Sequence, residues 1–107
     1  NKYTQKVFII QSVDRKISFE DIASSKGLTL VSLIEEMEAI VYSGTRLDIS
    51  YYIDDVIDED IQDEIMDYFR KAETDSMAVA IQEMGDDEIG ETELRLMRLK
   101  FISQFGN

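Results

Sequence analysis

Carboxylates are the most abundant chemically capable groups in this chain, and they come in clusters: Asp54-Asp55, Asp58-Glu59-Asp60 and Asp86-Asp87-Glu88. A calcium loop needs oxygens at alternate positions, a central glycine and a bidentate glutamate at the twelfth. Val56 and Ile57 break that register, and no ligand pattern of the right length starts at Asp86. These clusters are expected to be helix caps and solvated faces. Paired carboxylates for acid–base work would need a cleft, which nothing in the pattern suggests. Histidine and cysteine are absent, which excludes serine triads, cysteine–histidine pairs and histidine metal sites. The five glycines are isolated at expected helix ends, so no phosphate-binding loop is present. The sequence therefore predicts no catalytic, cofactor-binding or metal-binding residue in this chain. Tyr51, Tyr52 and Phe101 have rings that stack on bases, but aromatic residues at helical spacing more commonly fill a core. Arg95 shares a face with Arg98 and follows Glu91 by four residues, the spacing of an intrahelical ion pair.

One spacing does carry a recognisable geometry. Ile22-Ala23, three residues, Gly27-Leu28-Thr29, two residues and Ser32-Leu33 are arranged as in a helix-turn-helix. Ala23 is small enough for two helices to cross closely, Gly27 allows the tight turn, Leu28 plugs the angle and Leu33 returns to the core. The third helix would be the recognition helix, with Val31, Ser32, Glu35, Glu36 and Glu38 among its outward positions. It has no Lys or Arg, whereas sequence readers present Arg, Lys, Asn or Gln to base edges. Candidate DNA contacts are therefore Lys2, Lys6, Arg15, Lys16, Lys26, Thr29, Ser32 and Arg46, most of them at helix ends or loops where they reach phosphates.

The elements that must position these groups are helical. Proline is absent, and Leu, Ile, Met, Glu and Ala recur at helical spacing through all 107 residues. A first helix carries Tyr3, Val7, Ile10 and Val13 on one stripe, and it begins without a visible cap, as expected for a piece of a longer chain. Ser18 with Asp21 caps a short second helix that ends near Ser25. Thr29 caps a third, with Leu30, Leu33, Ile34, Met37, Ile40 and Val41 on its apolar face, and Gly44 ends it. Leu47 and Ile49 alternate with polar residues, which suggests a very short extended segment near 46–50. Beyond it, Ser50, Asp58 and Asp75 are expected caps of further helices, and Gly85 ends the helix begun at Asp75. The last helix, from about Glu91 to Phe105, is apolar on nearly all sides and so should be buried on nearly all sides. The expected fold is all-α: a three-helix helix-turn-helix subdomain over 1–46, then a small acidic helical bundle over 47–107.

The net charge of −12 is unevenly placed. Residues 1–46 hold six basic and six acidic side chains, whereas residues 47–107 hold five and 17. The second half repels nucleic acid and anionic membranes, so any DNA contact falls to the first half and is weak. No apolar run approaches the roughly 18 residues of a membrane span, and the lack of cysteine suits a reducing compartment. A soluble cytoplasmic protein with no membrane partner is expected.

The run from Ile22-Ala23 through Gly27-Leu28-Thr29 is followed by Ile40-Val41-Tyr42-Ser43-Gly44, Tyr51-Tyr52-Ile53-Asp54-Asp55, Gly85-Asp86-Asp87 and Glu93-Leu94-Arg95-Leu96-Met97-Arg98. Together these resemble the C-terminal tail of RecQ-type ATP-dependent DNA helicases of the Bacteroidetes kind. The resemblance implies an accessory domain of an enzyme that unwinds DNA in recombination and repair, aiding DNA engagement or docking to other domains of the same helicase or to a protein partner. ATP and magnesium would belong to the parent's motor domains; no residue here matches a motor or zinc motif, so no cofactor is expected in this fragment. The alternative is a helix-turn-helix module for protein interaction or transcriptional regulation.

Overall fold

Helix endings explain much of the architecture. In the computed structural model, which describes residues 1–106, seven α-helices follow one another. They are α1 (Lys2–Asp14), α2 (Phe19–Ser25), α3 (Leu30–Tyr42), α4 (Ser50–Val56), α5 (Glu59–Lys71), α6 (Met77–Met84) and α7 (Glu91–Phe105). The all-α expectation holds, with no strand among the described residues. The first three helices share one ending, the paired hydrogen bonds of a Schellman turn. Gly27 N–H donates to Ser24 O and Leu28 N–H to Ala23 O, at 3.2 and 2.9 Å. Gly44 and Thr45 repeat the arrangement on Val41 and Ile40, as do Lys16 and Ile17 on Val13 and Ser12. Each turn needs a left-handed residue: Gly27 at φ +65°, Gly44 at +107° and, with a full side chain, Lys16 at +60°.

The starts are set by side-chain caps. Ser18 Oγ accepts from Asp21 N–H at 3.2 Å, and Thr29 Oγ1 from Ser32 N–H at 3.0 Å, as the sequence indicates. Four expectations need correction. α1 does have a cap, since Asn1 Oδ1 accepts from Thr4 N–H at 2.9 Å. α6 is capped by Ser76, whose hydroxyl reaches Val79 N–H at 3.3 Å, rather than by Asp75 one residue earlier. Ser50 is the first residue of α4, and its amide donates to Asp48 Oδ1; Asp58 stands at the start of α5 without a side-chain cap bond.

One apolar cluster runs through the chain, from Ile9 and Phe19 through Leu33, Met37 and Ile53 to Ile65, Leu94 and Met97. α2 crosses α3 with Ala23 buried at the contact, while α1 lies against α3 through Ile9, Ser12 and Val13. The expected α1 stripe is thus rotated, and Tyr3 is exposed; the continuous apolar run Val7–Ile10 offers two equally apolar faces, and docking on α3 selects the one with Ile9. α7 touches α3, α4, α5 and α6. Leu94, Leu96, Met97 and Leu99 are all buried, in accord with its all-round apolarity, and only its last aromatic, Phe105, emerges. The radius of gyration, 13.5 Å, is close to the ~13 Å of a compact domain of this length.

Residues 45–49 form no strand. Leu47 and Ile49 are buried from an irregular segment that Ser103 of α7 holds by accepting the Leu47 amide proton at 3.2 Å. Their alternation reflects anchoring to the core by every second residue. Just beyond, two tyrosines clamp the first turn. Tyr52 stacks on Phe19 at 4.0 Å and donates its O–H to Glu20, while Tyr51 O–H donates to Ile17 O at 2.5 Å. These rings are therefore packed inside and are not stacking platforms.

The turns make definite demands. A Cβ at Gly27 would meet nothing within 4 Å, so Gly27→Val should cost ~1–2 kcal/mol through φ alone. Ala23→Leu, overpacking a buried helix crossing, should cost ~1–3 kcal/mol. Lys16→Gly, which relieves a left-handed lysine, should raise stability by ~0.5–1 kcal/mol. Urea unfolding of the three variants checks all three signs. The clamp predicts alkaline sensitivity. Burial pushes the Tyr51 hydroxyl up to about 12, and burial together with the Glu20 hydrogen bond raises that of Tyr52. Both remain protonated in the folded state at pH values where an unfolded tyrosine, near 10, ionises. Their stabilisation is complete below pH ~10 and declines as pH rises toward 12. Melts across this range should fall less steeply for Tyr51→Phe than for the parent chain.

Candidate nucleic-acid interface

The helix that would enter a DNA groove is α3. Its solvent face consists of Val31, Glu35, Ala39 and Tyr42, flanked by the half-exposed Ser32 and Glu36. None of its thirteen residues is Lys, Arg, Asn or Gln, so the face lacks the donors that read base edges. Thr29 and Ser32 are occupied locally: the Thr29 hydroxyl accepts the Ser32 amide proton and donates to Ser32 Oγ at 3.0 Å.

Glu38 departs from the outward position expected of it. It turns to α7 and accepts a two-pronged hydrogen bond from Arg95, Nε to Oε2 at 3.1 Å and Nη2 to Oε1 at 2.5 Å. Arg98 Nη2 lies 3.7 Å from the same carboxylate, and Arg98 Nη1 donates to Asp75 O at 2.9 Å. All three side chains are at most 17% exposed. The fork is the strong geometry for a guanidinium and a carboxylate. The Glu38 hydrogen bonds, working against desolvation, raise the Arg95 pKa above its ordinary value. The intrahelical pair with Glu91 exists as well, but at 3.5 Å and with Glu91 largely exposed it is the lesser partner. α3 is thus tied to α7 through its outer edge.

The basic candidates fall into two groups on either flank of α1. Lys6 Nζ lies 3.5 Å from Ser43 Oγ at the C-terminal end of α3, three residues before Arg46, and Lys2 lies one turn earlier on α1. On the other flank, Lys26, the C-cap of α2, sets its ammonium 4.4 Å from the centre of the Phe8 ring. Phe8 is two residues from Lys6, about 200° around the helix, and seven from Arg15, which returns to the same face. Arg15, the C-cap of α1, thus falls on the flank of Lys26, about 10 Å along the axis, while Lys16 leaves the helix at φ +60°. Lys26, Arg15 and Lys16 are all exposed at the α1–α2 and α2–α3 turns, with the exposed Asp14, Glu20 and Asp21 among them; Lys6 is set toward Ser43 instead.

The stretch from α1 into α4 matches a known family model. Residues 4–53 match the family model described as RecQ-1-like, helix-turn-helix domain. This segment is thus similar to RecQ-1-like helix-turn-helix domains. The matched stretch ends at Ile53, so it contains both the turn with Gly27 and the tyrosine clamp of α4. No curated protein matches the chain.

Sequence reasoning finds the caps at Ser18 and Thr29 and the turn at Gly27 but misses two long-range polar links, the tyrosine clamp inside the matched stretch and the Glu38–Arg95 fork that leaves it. Glu38 and Arg95 are 57 residues apart, and the available signal was weak: an acid on the flank of an apolar helix face and an arginine inside a helix otherwise apolar all round. Glu38→Ala should destabilise the fold by ~2 kcal/mol, because Arg95 is left partly buried without its fork, whereas Glu91→Ala should cost under ~0.5 kcal/mol. Urea titration of the two variants measures the contrast; equal losses would return the pairing to the intrahelical partner.

Proposed function

We propose that this chain is a non-catalytic accessory domain of an ATP-dependent DNA helicase of the RecQ type, acting in recombination and repair in the cytoplasm. It contacts the DNA backbone weakly through residues 1–46. The family match over residues 4–53 supports the parentage. The observation that carries the mode of contact is the division of labour on the surface. α3 presents no basic group and is held at Glu38 by Arg95, while Lys26, Arg15 and Lys16 stand exposed on the neighbouring turns. Phosphate contacts position a protein without reading sequence, and exposed cations of this kind suit phosphates. The acidic region over 47–107 limits binding to that side. ATP hydrolysis with magnesium is assigned to motor domains of the parent, not to residues of this chain. The exposed Val31 on α3 favours, as a second reading, contact with another domain of the helicase or a protein partner.

Neutralising two or three phosphates gives a salt slope of about −2 to −3, against about −10 for a strong duplex binder. The measurement is the affinity of the chain for a forked DNA at several salt concentrations, with a Lys16→Glu, Lys26→Glu double variant alongside. A shallow slope and a marked loss in the double variant are expected. A steep slope, or full binding after both reversals, would overturn this reading.

A further inference from the structure

The aromatic residues of the acidic half meet in one place. A cavity of about 440 Å³ opens between α5, α6 and α7, beside the end of α3, walled by Tyr42, Tyr68, Phe69 and Phe101. Its volume is that of a small-ligand site. Its cations are already engaged: Arg98 holds Asp75 O and faces Glu38, and the nearby Lys71 Nζ is bound to Asp67 at 3.1 Å. At the mouth stand Glu73 and Asp75, both exposed, and Glu83 lines the adjoining concavity with Tyr68 and Glu73. Among the described residues, none of these three carboxylates forms a salt bridge. The site therefore combines aromatic rings, whose faces carry negative potential, with an acidic rim set against one guanidinium in its wall, Arg98, which is turned to Asp75 O and Glu38. An anion is repelled by both features. A cation on an apolar stem satisfies both, because its methylenes lie along the rings while its head remains at the wet rim.

We propose that this cavity docks a basic peptide segment of a protein partner, with a lysine or arginine stem against Tyr68, Phe69 and Phe101 and its charge at Glu73 and Asp75. The inference goes beyond the DNA contact and does not rest on it, since none of Lys26, Arg15 and Lys16 lines the cavity. Two blocked pentapeptides, Gly-Lys-Phe-Lys-Gly and Gly-Glu-Phe-Glu-Gly, serve as probes in an NMR titration of the whole chain. The basic peptide should shift the ring resonances of Tyr68, Phe69 and Phe101 saturably, and the acidic one should bind about five- to tenfold more weakly, the effect of one or two exposed charge pairs. Glu73→Lys with Asp75→Lys, at exposed positions, should leave the melting temperature near that of the parent chain and invert the preference. Equal response to both peptides, shifts confined to other residues, or an unaltered preference in the folded double variant would overturn the proposal. So would the same ring shifts on adding single-stranded oligothymidine, or on raising protein concentration without peptide. The DNA reading stays separately testable, because it is decided by Lys16 and Lys26 on the opposite half.

Discussion

The fork between Glu38 and Arg95 is the constraint on which the arrangement of this domain turns. A carboxylate and a guanidinium that are both about 15% exposed cannot lose each other without leaving a charge poorly solvated. The pair therefore fixes α3 and α7 in a single register. Because α7 also packs on α4, α5 and α6, whatever sets its register sets the whole acidic half. The apolar contacts supply most of the stabilisation, but they are tolerant of sliding; the fork is not.

The second polar device acts at the other end of the helix-turn-helix. Tyr51 and Tyr52 reach from α4 to Ile17 O and Glu20, with Phe19 stacked beneath Tyr52. Ile17 follows Lys16, whose left-handed conformation turns the chain from α1 into α2. A lysine held at positive φ requires support from its surroundings, and the tyrosine clamp supplies it one residue away. The exposed Arg15 and Lys16 are thereby carried on a turn that side-chain contacts hold in place.

Local rules made most of the helices legible in the sequence. The caps at Ser18 and Thr29, the turns at Gly27 and Gly44 and the span of α7 follow from interactions within four or five residues, where residue type nearly determines geometry. The apolar face of α3 is equally legible, since Leu33, Ile34, Met37, Ile40 and Val41 admit one stripe. Where adjacent residues compete, legibility fails. Asp75 and Ser76 are both good caps, and the start of α6 selects Ser76; Val7 to Ile10 supplies two faces, and α3 selects one. At the candidate interface the basic residues could be named, but the grouping of Lys26 with Arg15 depends on the contact of Lys26 with the Phe8 ring of α1. The Glu38 link was hidden for the same reason: an acid at the edge of a helix face reads as solvated unless its partner, far along the chain, is known to face it.

The distribution of charge has a structural logic that follows from these contacts. In the region beyond residue 46, Arg95 and Arg98 are drawn inward to Glu38 and Asp75, and Lys71 is bound to Asp67. Three of the five basic groups there are thus consumed by internal bonds, and the acids remain on the surface with little to offset them. Around α1, by contrast, Lys26, Arg15 and Lys16 remain exposed, with an aromatic ring as the closest partner of Lys26. Folding therefore sharpens an asymmetry that the sequence states only as a difference in counts. One side gains accessible cations and the other loses them. The exposed cations around α2 and the largely unpaired acids beyond residue 46 give a charge separation of the kind that steers a polyanion toward one side. With no Lys, Arg, Asn or Gln on α3, that separation is the electrostatic feature on which the proposed backbone contact depends.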